Sequence, residues 1–464
     1  MKHFKVMAVF ILCLLLAAAF PVQAAEENQG SSLQESGRVI FLLDGSRSMS
    51  RERWQEALDC ILMVEAMLPT GYQAALAVYN TEVDVIADFD CSLEEGISSI
   101  RDRKQKGYTD PGAALETALE MLGKDFAGRK YVVFITDGEV CLSNEEETEA
   151  ALVSYQAAAA KAAEQGITVD VLLYETPDIE EGVSYGADLT GGSCFHRTQE
   201  RTAEDFGKSY LFERLGLERI MLGVSDSPDN LTKVSLQDTF AERVRILLLS
   251  EKGLQDIQVS CQSRKIDIVQ GERFAVITLE HPLEDTVDLQ YAMAEKGRMN
   301  AYLVKEYALS VSAEASYMPE AGCQQVRVRV TNSEGKDILE DPEIKDAVAI
   351  SIDGEKVPYE VSQGRAVISW YKEDSGEIDI DVDFKGLNSR VYCDSTQNSL
   401  WLEAPPEELP EEPVEDEAPY YWIYVVTAGV CAAFAVLLCL LMYSKKKTKI
   451  SAAGKQMPRA ITRY

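Results

Sequence analysis

The run Val39-Ile40-Phe41-Leu42-Leu43 passes without interruption into Asp44-Gly45-Ser46-Arg47-Ser48. Consecutive apolar residues with β-branched and aromatic members read as a buried strand, and the small polar residues mark its end. Trp54 then opens a helical pattern that continues to Leu68. A buried strand that turns directly into a helix is the repeating unit of a largely parallel sheet covered by helices.

The same alternation extends over residues 37–216. Strands are expected over residues 39–43, 74–79, 83–89, 131–135 and 167–173, and helices over 54–68, 113–122 and 148–165. The fold class is therefore α/β, a doubly wound, mostly parallel sheet whose ligands bind where strands end and loops gather. From Leu217 the texture changes to period-two alternation, the mark of antiparallel strands with one wetted face. Ile257, Val259 and Cys261 form one such run, and Phe274, Val276 and Thr278 another. Residues 217–309 are expected to be a β-rich domain. Residues 310–403 are expected to be a β-sandwich-type domain, for which an immunoglobulin-like arrangement is one option. There Ile378, Ile380 and Val382 alternate with Asp379, Asp381 and Asp383. A solvated strand face is preferred over a calcium site, because no Gly-kinked loop gathers these carboxylates.

An apolar run lies near each end of the chain. Lys2, His3 and Lys5 precede an apolar run over residues 6–20, and Val22-Gln23-Ala24 offers a small-residue cleavage pattern, so residues 1–24 read as a signal peptide. Residues 421–443 carry no charge and are long enough to cross a bilayer as a helix. Tyr420, Tyr421, Trp422 and Tyr424 crowd one end of this run, and Lys445, Lys446, Lys447 and Lys449 follow the other. This asymmetry predicts a single-pass membrane protein with its N-terminal part outside and a basic tail, residues 444–464, in the cytoplasm. Between head and span, residues 404–419 hold five prolines and seven acidic residues, the composition of an extended stalk. Such an arrangement suits a bacterial surface protein.

The net charge of -32 excludes nucleic acid and anionic membrane surfaces as partners of the main body and favours cations. Of ten cysteines, seven lie outside the signal and the span. Cys323 and Cys393, near the two ends of one expected domain, are candidates for a disulfide, with small buried thiols as the alternative.

The pattern Asp-x-Ser-x-Ser at Asp44, Ser46 and Ser48 is a weak signal alone. Two further places strengthen it: Gly107-Tyr108-Thr109 ahead of a helix, and Thr136-Asp137-Gly138 at the end of the strand over residues 131–135. Together these resemble the von Willebrand factor A family, whose Rossmann-like fold carries a metal-ion-dependent adhesion site built from Asp-x-Ser-x-Ser, a loop threonine and a strand-end aspartate. Matched residue by residue, the resemblance implies Asp44, Ser46, Ser48, Thr109 and Asp137 as metal ligands. It extends to Thr190-Gly191-Gly192-Ser193, similar to the turn before the family's last strand, and to a closing helix near residues 202–215.

The donor chemistry agrees with this. Mg2+ or Mn2+ prefers hard oxygen ligands near octahedral geometry and keeps some of them as water. Three hydroxyls and two carboxylates acting partly through water leave one position open, which the Asp or Glu carboxylate of a protein partner fills. Arg47 and Tyr108, beside the ligands, are candidates for ligand contact; Arg47 could equally pair with nearby carboxylates and Tyr108 pack its own loop.

The sequence offers little to an enzyme. No Gly-x-Ser-x-Gly elbow, phosphate-cradling Gly-rich loop or His-Glu-x-x-His helix is found, and no general base stands in the metal motifs. The expectation is metal-dependent binding of a protein ligand at the cell surface, adhesin-like or receptor-like. The alternative is a scaffold subunit that assembles a membrane-associated complex, and a metal-assisted hydrolase ranks below both.

Overall fold

The run around Phe41 forms β1 (Gly37–Asp44), buried from Val39 to Leu43 and set between two neighbours of a six-stranded sheet. Along the chain follow α1 (Arg51–Met67), β2 (Tyr72–Tyr79), β3 (Val83–Ala87), α2 (Leu93–Ile100) and α3 (Pro111–Leu122). Then come β4 (Arg129–Thr136), α4 (Glu145–Glu164), β5 (Thr168–Leu173), α5 (Ser184–Thr190), β6 (Cys194–His196) and α6 (Ala203–Ser209). The sheet order is β3-β2-β1-β4-β5-β6, with β3 alone antiparallel to its neighbour. Side chains alternate across it: Val39, Phe41 and Leu43 join the core under α1, α2 and α6, whereas Ile40 and Leu42 join the core under α3 and α4. This is the expected doubly wound α/β fold.

The computed structural model describes residues 36–138, 140–174, 182–225, 229–319, 321–371, 375–393, 397–402 and 421–450. The expected signal peptide, the stalk and most of the basic tail lie outside the described residues.

The β-rich part comprises β7 (Ile220–Ser225), β8 (Asp229–Ser235), β9 (Arg243–Ser250), β10 (Leu254–Ser260), β11 (Ser263–Gln270), β12 (Phe274–Pro282) and β13 (Thr286–Met293). Next are β14 (Met299–Met318), β15 (Cys323–Asn332), α7 (Pro342–Ala347), β16 (Ala349–Ile352), β17 (Glu355–Val357) and β18 (Glu360–Ser362). Last are β19 (Arg365–Trp370), β20 (Gly376–Asp383), β21 (Arg390–Cys393) and β22 (Gln397–Leu402). The largest sheet runs β11-β12-β9-β14-β15-β19-β18, with β7 and β21 also paired to β14. Two smaller sheets, β10-β13-β8 and β17-β16-β20-β22, complete this part.

The boundary expected between Leu309 and Ser310 falls inside β14, a single 20-residue strand. Alternation does not stop there, and residues from both sides, among them Leu289, Tyr307, Val328 and Ile350, share one core. The same strand disposes of the disulfide candidate. Cys323 pairs in register with Met318 and Cys393 with Leu309, positions about 30 Å apart along a strand at roughly 3.3 Å per residue, whereas a bridge needs Cα atoms within about 7 Å. Among the described residues no two cysteines form a disulfide. On β20 the aspartates at 379, 381 and 383 are exposed while Ile378, Ile380 and Val382 are buried.

Helix α1 joins the α/β part to the β-rich part. An ordinary surface helix buries one stripe, yet α1 buries every residue from Ala57 to Val64. One face lies on the six-stranded sheet and another against β11 and β12, so that Leu247, Leu249, Phe274 and Val276 belong to the same core as Leu58, Ile61 and Val64. Phe212, in the π-turn after α6, packs against Tyr302 of β14 with ring centroids 5.4 Å apart and the rings tilted by 50°.

Polar contacts reinforce the junction. Asp59 on α1 accepts from the Glu272 amide at 2.9 Å. In the loop after α1, the Thr70 hydroxyl donates to Glu306 Oε2 at 2.7 Å and its carbonyl accepts from Tyr392 at 3.0 Å. Arg245 donates both to Glu306 Oε1 at 2.9 Å and to the Leu68 carbonyl at 2.8 Å.

The C-terminal unit contains α8 (Tyr421–Ile450). Its stretch Tyr424–Met442, with mean hydropathy 2.7, is long and apolar enough to cross a membrane.

Candidate metal-binding site

At the C-terminal end of β1 the chain makes a tight turn. The Gly45 amide donates to the Tyr79 carbonyl at 2.7 Å, and the Ser46 amide donates to Asp44 Oδ1 at 2.9 Å. Gly45 is required by proximity: a Cβ there would stand 2.7 Å from Val78 Cγ1. The Ser46 and Ser48 hydroxyls lie 3.0 Å apart, and the Ser50 hydroxyl caps α1 by accepting from the Arg53 amide. Asp44 is fully buried, Ser46 nearly so, and Ser48 is exposed at the mouth.

Two other loops close around this turn. The Lys106 amide donates to the Gly45 carbonyl at 2.8 Å, which holds the 101–110 loop against it. Thr109 is buried, and its amide donates to the Cys141 carbonyl at 2.8 Å, tying it to the loop after β4. Asp110 next to it caps α3 through the Gly112 and Ala113 amides. Asp137 is buried one residue beyond β4, near enough to Asp44 for its charge to act on it. The strand register and these loop contacts thus bring Asp44, Ser46, Ser48, Thr109 and Asp137 to one end of the sheet. Arg47 and Tyr108 are exposed beside them, Tyr108 following Gly107, whose φ of 85° belongs to glycine.

Burial pushes the Asp44 carboxyl up to about 6, and the charge of Asp137 pushes the same way. Hydrogen bonds from Thr136 and Ser46 pull against that rise. Among the described residues no cluster of three or more His, Cys, Asp or Glu side chains offers a metal cage. An ion at this site would be held largely by hydroxyl and water oxygens. The donors fit a small hard cation: all are oxygens, and a positive charge relieves both the desolvation of Asp44 and its repulsion by Asp137.

The sequence reading missed the supports of the site: Thr136, the Gly45 carbonyl and the Cys141 carbonyl. Backbone groups leave no trace in residue types, but Thr136 stands directly before Asp137 in the strand-end run Thr136-Asp137-Gly138.

Residues 39–199 match the family model of the von Willebrand factor type A domain. The chain carries a VWA domain. No curated protein matches the sequence. Among solved structures, BatB from Bacteroides thetaiotaomicron is 19% identical, with 39% of this chain and 98% of that one covered and a TM-score of 0.32. A von Willebrand factor type A protein from Catenulispora acidiphila is 15% identical over 65% and 64% of the two chains, with a TM-score of 0.33. The corresponding domain of the type V pili tip protein Mfa5 from Porphyromonas gingivalis is 14% identical over 39% and 96%, also at 0.33.

Proposed function

We propose that the VWA domain holds Mg2+ or Mn2+ through Asp44, Ser46, Ser48, Thr109 and Asp137, and that it binds a protein ligand at the cell surface, adhesin-like or receptor-like. The observation that carries this reading is the pair of buried carboxyls, Asp44 and Asp137, set close together among hydroxyls at the open end of the sheet. Asp44 and Asp137 supply the charge, while Ser46, Ser48 and Thr109 supply neutral oxygens. When bound, the cation supplies an electrophilic open position for the ligand's Asp or Glu carboxylate. Ser48, Arg47 and Tyr108 are exposed at the mouth and would meet the ligand first. With α8 as the single span, the signal peptide removed and the lysine-rich side facing the cytoplasm, the VWA domain stands outside the cell.

Calorimetric titration of Mg2+ and Mn2+ into the full chain in detergent, beside Asp44→Ala, tests the site. One ion bound by the wild type and none by the variant supports it; no ion bound by the wild type overturns it. A pull-down from intact membranes then separates adhesin from scaffold, since stably co-purifying subunits favour the scaffold and binding only of added extracellular proteins favours the adhesin.

A further inference from the structure

We propose that Thr136 is the positioning residue of the site: its hydroxyl pins the Asp44 carboxylate and couples it to the loop that carries Asp137. This rests on the metal-binding reading above. Thr136 ends β4 and is fully buried. Its Oγ1 donates to Asp44 Oδ2 at 2.7 Å and accepts from the Gly138 amide at 3.0 Å. A hydroxyl has one proton, and with the Gly138 N–H directed at the oxygen's lone pair that proton goes to Asp44. The Thr136 carbonyl accepts from the Tyr174 amide at 2.9 Å, so the backbone beneath the hydroxyl is also held.

Strands β1 and β4 are parallel neighbours whose last registered pair is Leu43 with Ile135, which sets Asp44 and Thr136 side by side at the end of the sheet. The other Asp44 oxygen is held by the Ser46 amide. The terminal torsion of an aspartate is soft, yet here each oxygen is fixed by a donor from a different strand end. Such a carboxylate is set before an ion arrives, and the ion loses little affinity to ordering it. Valine at 136 keeps the shape but leaves Asp44 Oδ2 without its donor and the Gly138 amide without its acceptor. Serine keeps both hydrogen bonds and loses only a methyl group.

The test is titration of Mn2+ into the full chain as wild type, Thr136→Val and Thr136→Ser, with thermal midpoints measured in chelator and in Mn2+. The valine variant is expected to bind about tenfold to a hundredfold more weakly, the usual range for removing a partner that orients a metal ligand. The serine variant is expected to recover most of that affinity even though its missing methyl lowers the metal-free midpoint. A merely structural residue would rank affinity in step with metal-free stability. Thr136→Ala, which also lacks the hydroxyl, gives the same reading should the valine variant not fold. Wild-type affinity without the hydroxyl, or a serine variant as weak as the valine one, overturns the proposal. If the wild type takes up no Mn2+, the metal-binding reading fails and this inference falls with it; if only the variants match the wild type, this inference alone fails.

Discussion

Arg245 and Glu306 meet at 2.9 Å between β9 and β14, with side chains 5% and 2% exposed, and the same arginine reaches the Leu68 carbonyl at the end of α1. The ion pair inside the β-rich part is therefore also a link to the VWA domain. Thr70 and Arg243 complete the set around Glu306.

Removing one charge of this pair strands the other in a buried place. Glu306→Gln is expected to cost about 3–5 kcal/mol in urea unfolding, whereas Arg245→Met combined with Glu306→Leu recovers much of that loss. An additive double variant would show that the pair does not act as a unit.

Acid should act through the same carboxylate. Burial raises the Glu306 carboxyl, but the charge and hydrogen bonds of Arg245, with Thr70 and Arg243, outweigh burial and leave it below its ordinary value. Its contribution is present above the unfolded value of about 4.3 and is lost as pH falls from there through the lower folded value. Stability of the wild type should drop in that window, and Glu306→Gln should flatten the drop.

Glu204 is the opposite case. It is 6% exposed on α6, and its Oε2 has no hydrogen-bond partner. Burial pushes its carboxyl up, against the Thr202 hydroxyl and the local backbone, and Glu56 adds to the rise. A carboxyl raised in the fold weakens the fold as pH climbs through its folded value. Thermal scans should show Glu204→Gln more stable than wild type at pH 8, with the advantage gone near pH 4.

Gly45→Ala would press a methyl group against Val78 beside the turn that carries the candidate ligands. Overpacking of this kind costs about 1–3 kcal/mol. The expected readout is a lower thermal midpoint together with weaker Mn2+ binding in the same titration.

Residues 36–216 expressed alone should bind a hydrophobic dye and aggregate, because the faces of α1 and Phe212 that meet β9, β12 and β14 would lie open. A monomeric, dye-silent fragment would show that the VWA domain does not need this cover.

Apolar runs located β1, β2, β4 and β5 within a residue or two, because a fully buried strand is written in its own composition. Helix α2 went unread although Leu93, Ile97 and Ile100 keep helical spacing, since eight residues offer barely two turns of pattern. The second buried face of α1 was present as the run Leu58–Val64, apolar but for Asp59, but periodicity reports that a face is apolar and not what covers it. The candidate ligands were legible because their side chains carry the chemistry. Thr136 was not, because support from a neighbouring strand depends on sheet order, and the Gly45 carbonyl was not, because a backbone group leaves no trace in residue types. The division at residue 309 failed for the same reason: composition shifts along the chain, while β14 pairs across it.

That continuity of β14 has a mechanical side. Its ladders to β9 and β7 occupy the first half, β21 the middle and β15 the second half. On the proposed function, a pull on a partner held near Asp44 would reach these ladders through α1 and the clasp on Thr70 and be shared among many hydrogen bonds. Gly216, with a φ of 66°, stands where the chain crosses between the two parts, so the packed face of α1 and the clasp on Thr70, not the connecting chain, hold them together. On the proposed binding role, a grip mounted in this way would deliver the work of pulling to the bond with the partner, and the lifetime of attachment would be governed there.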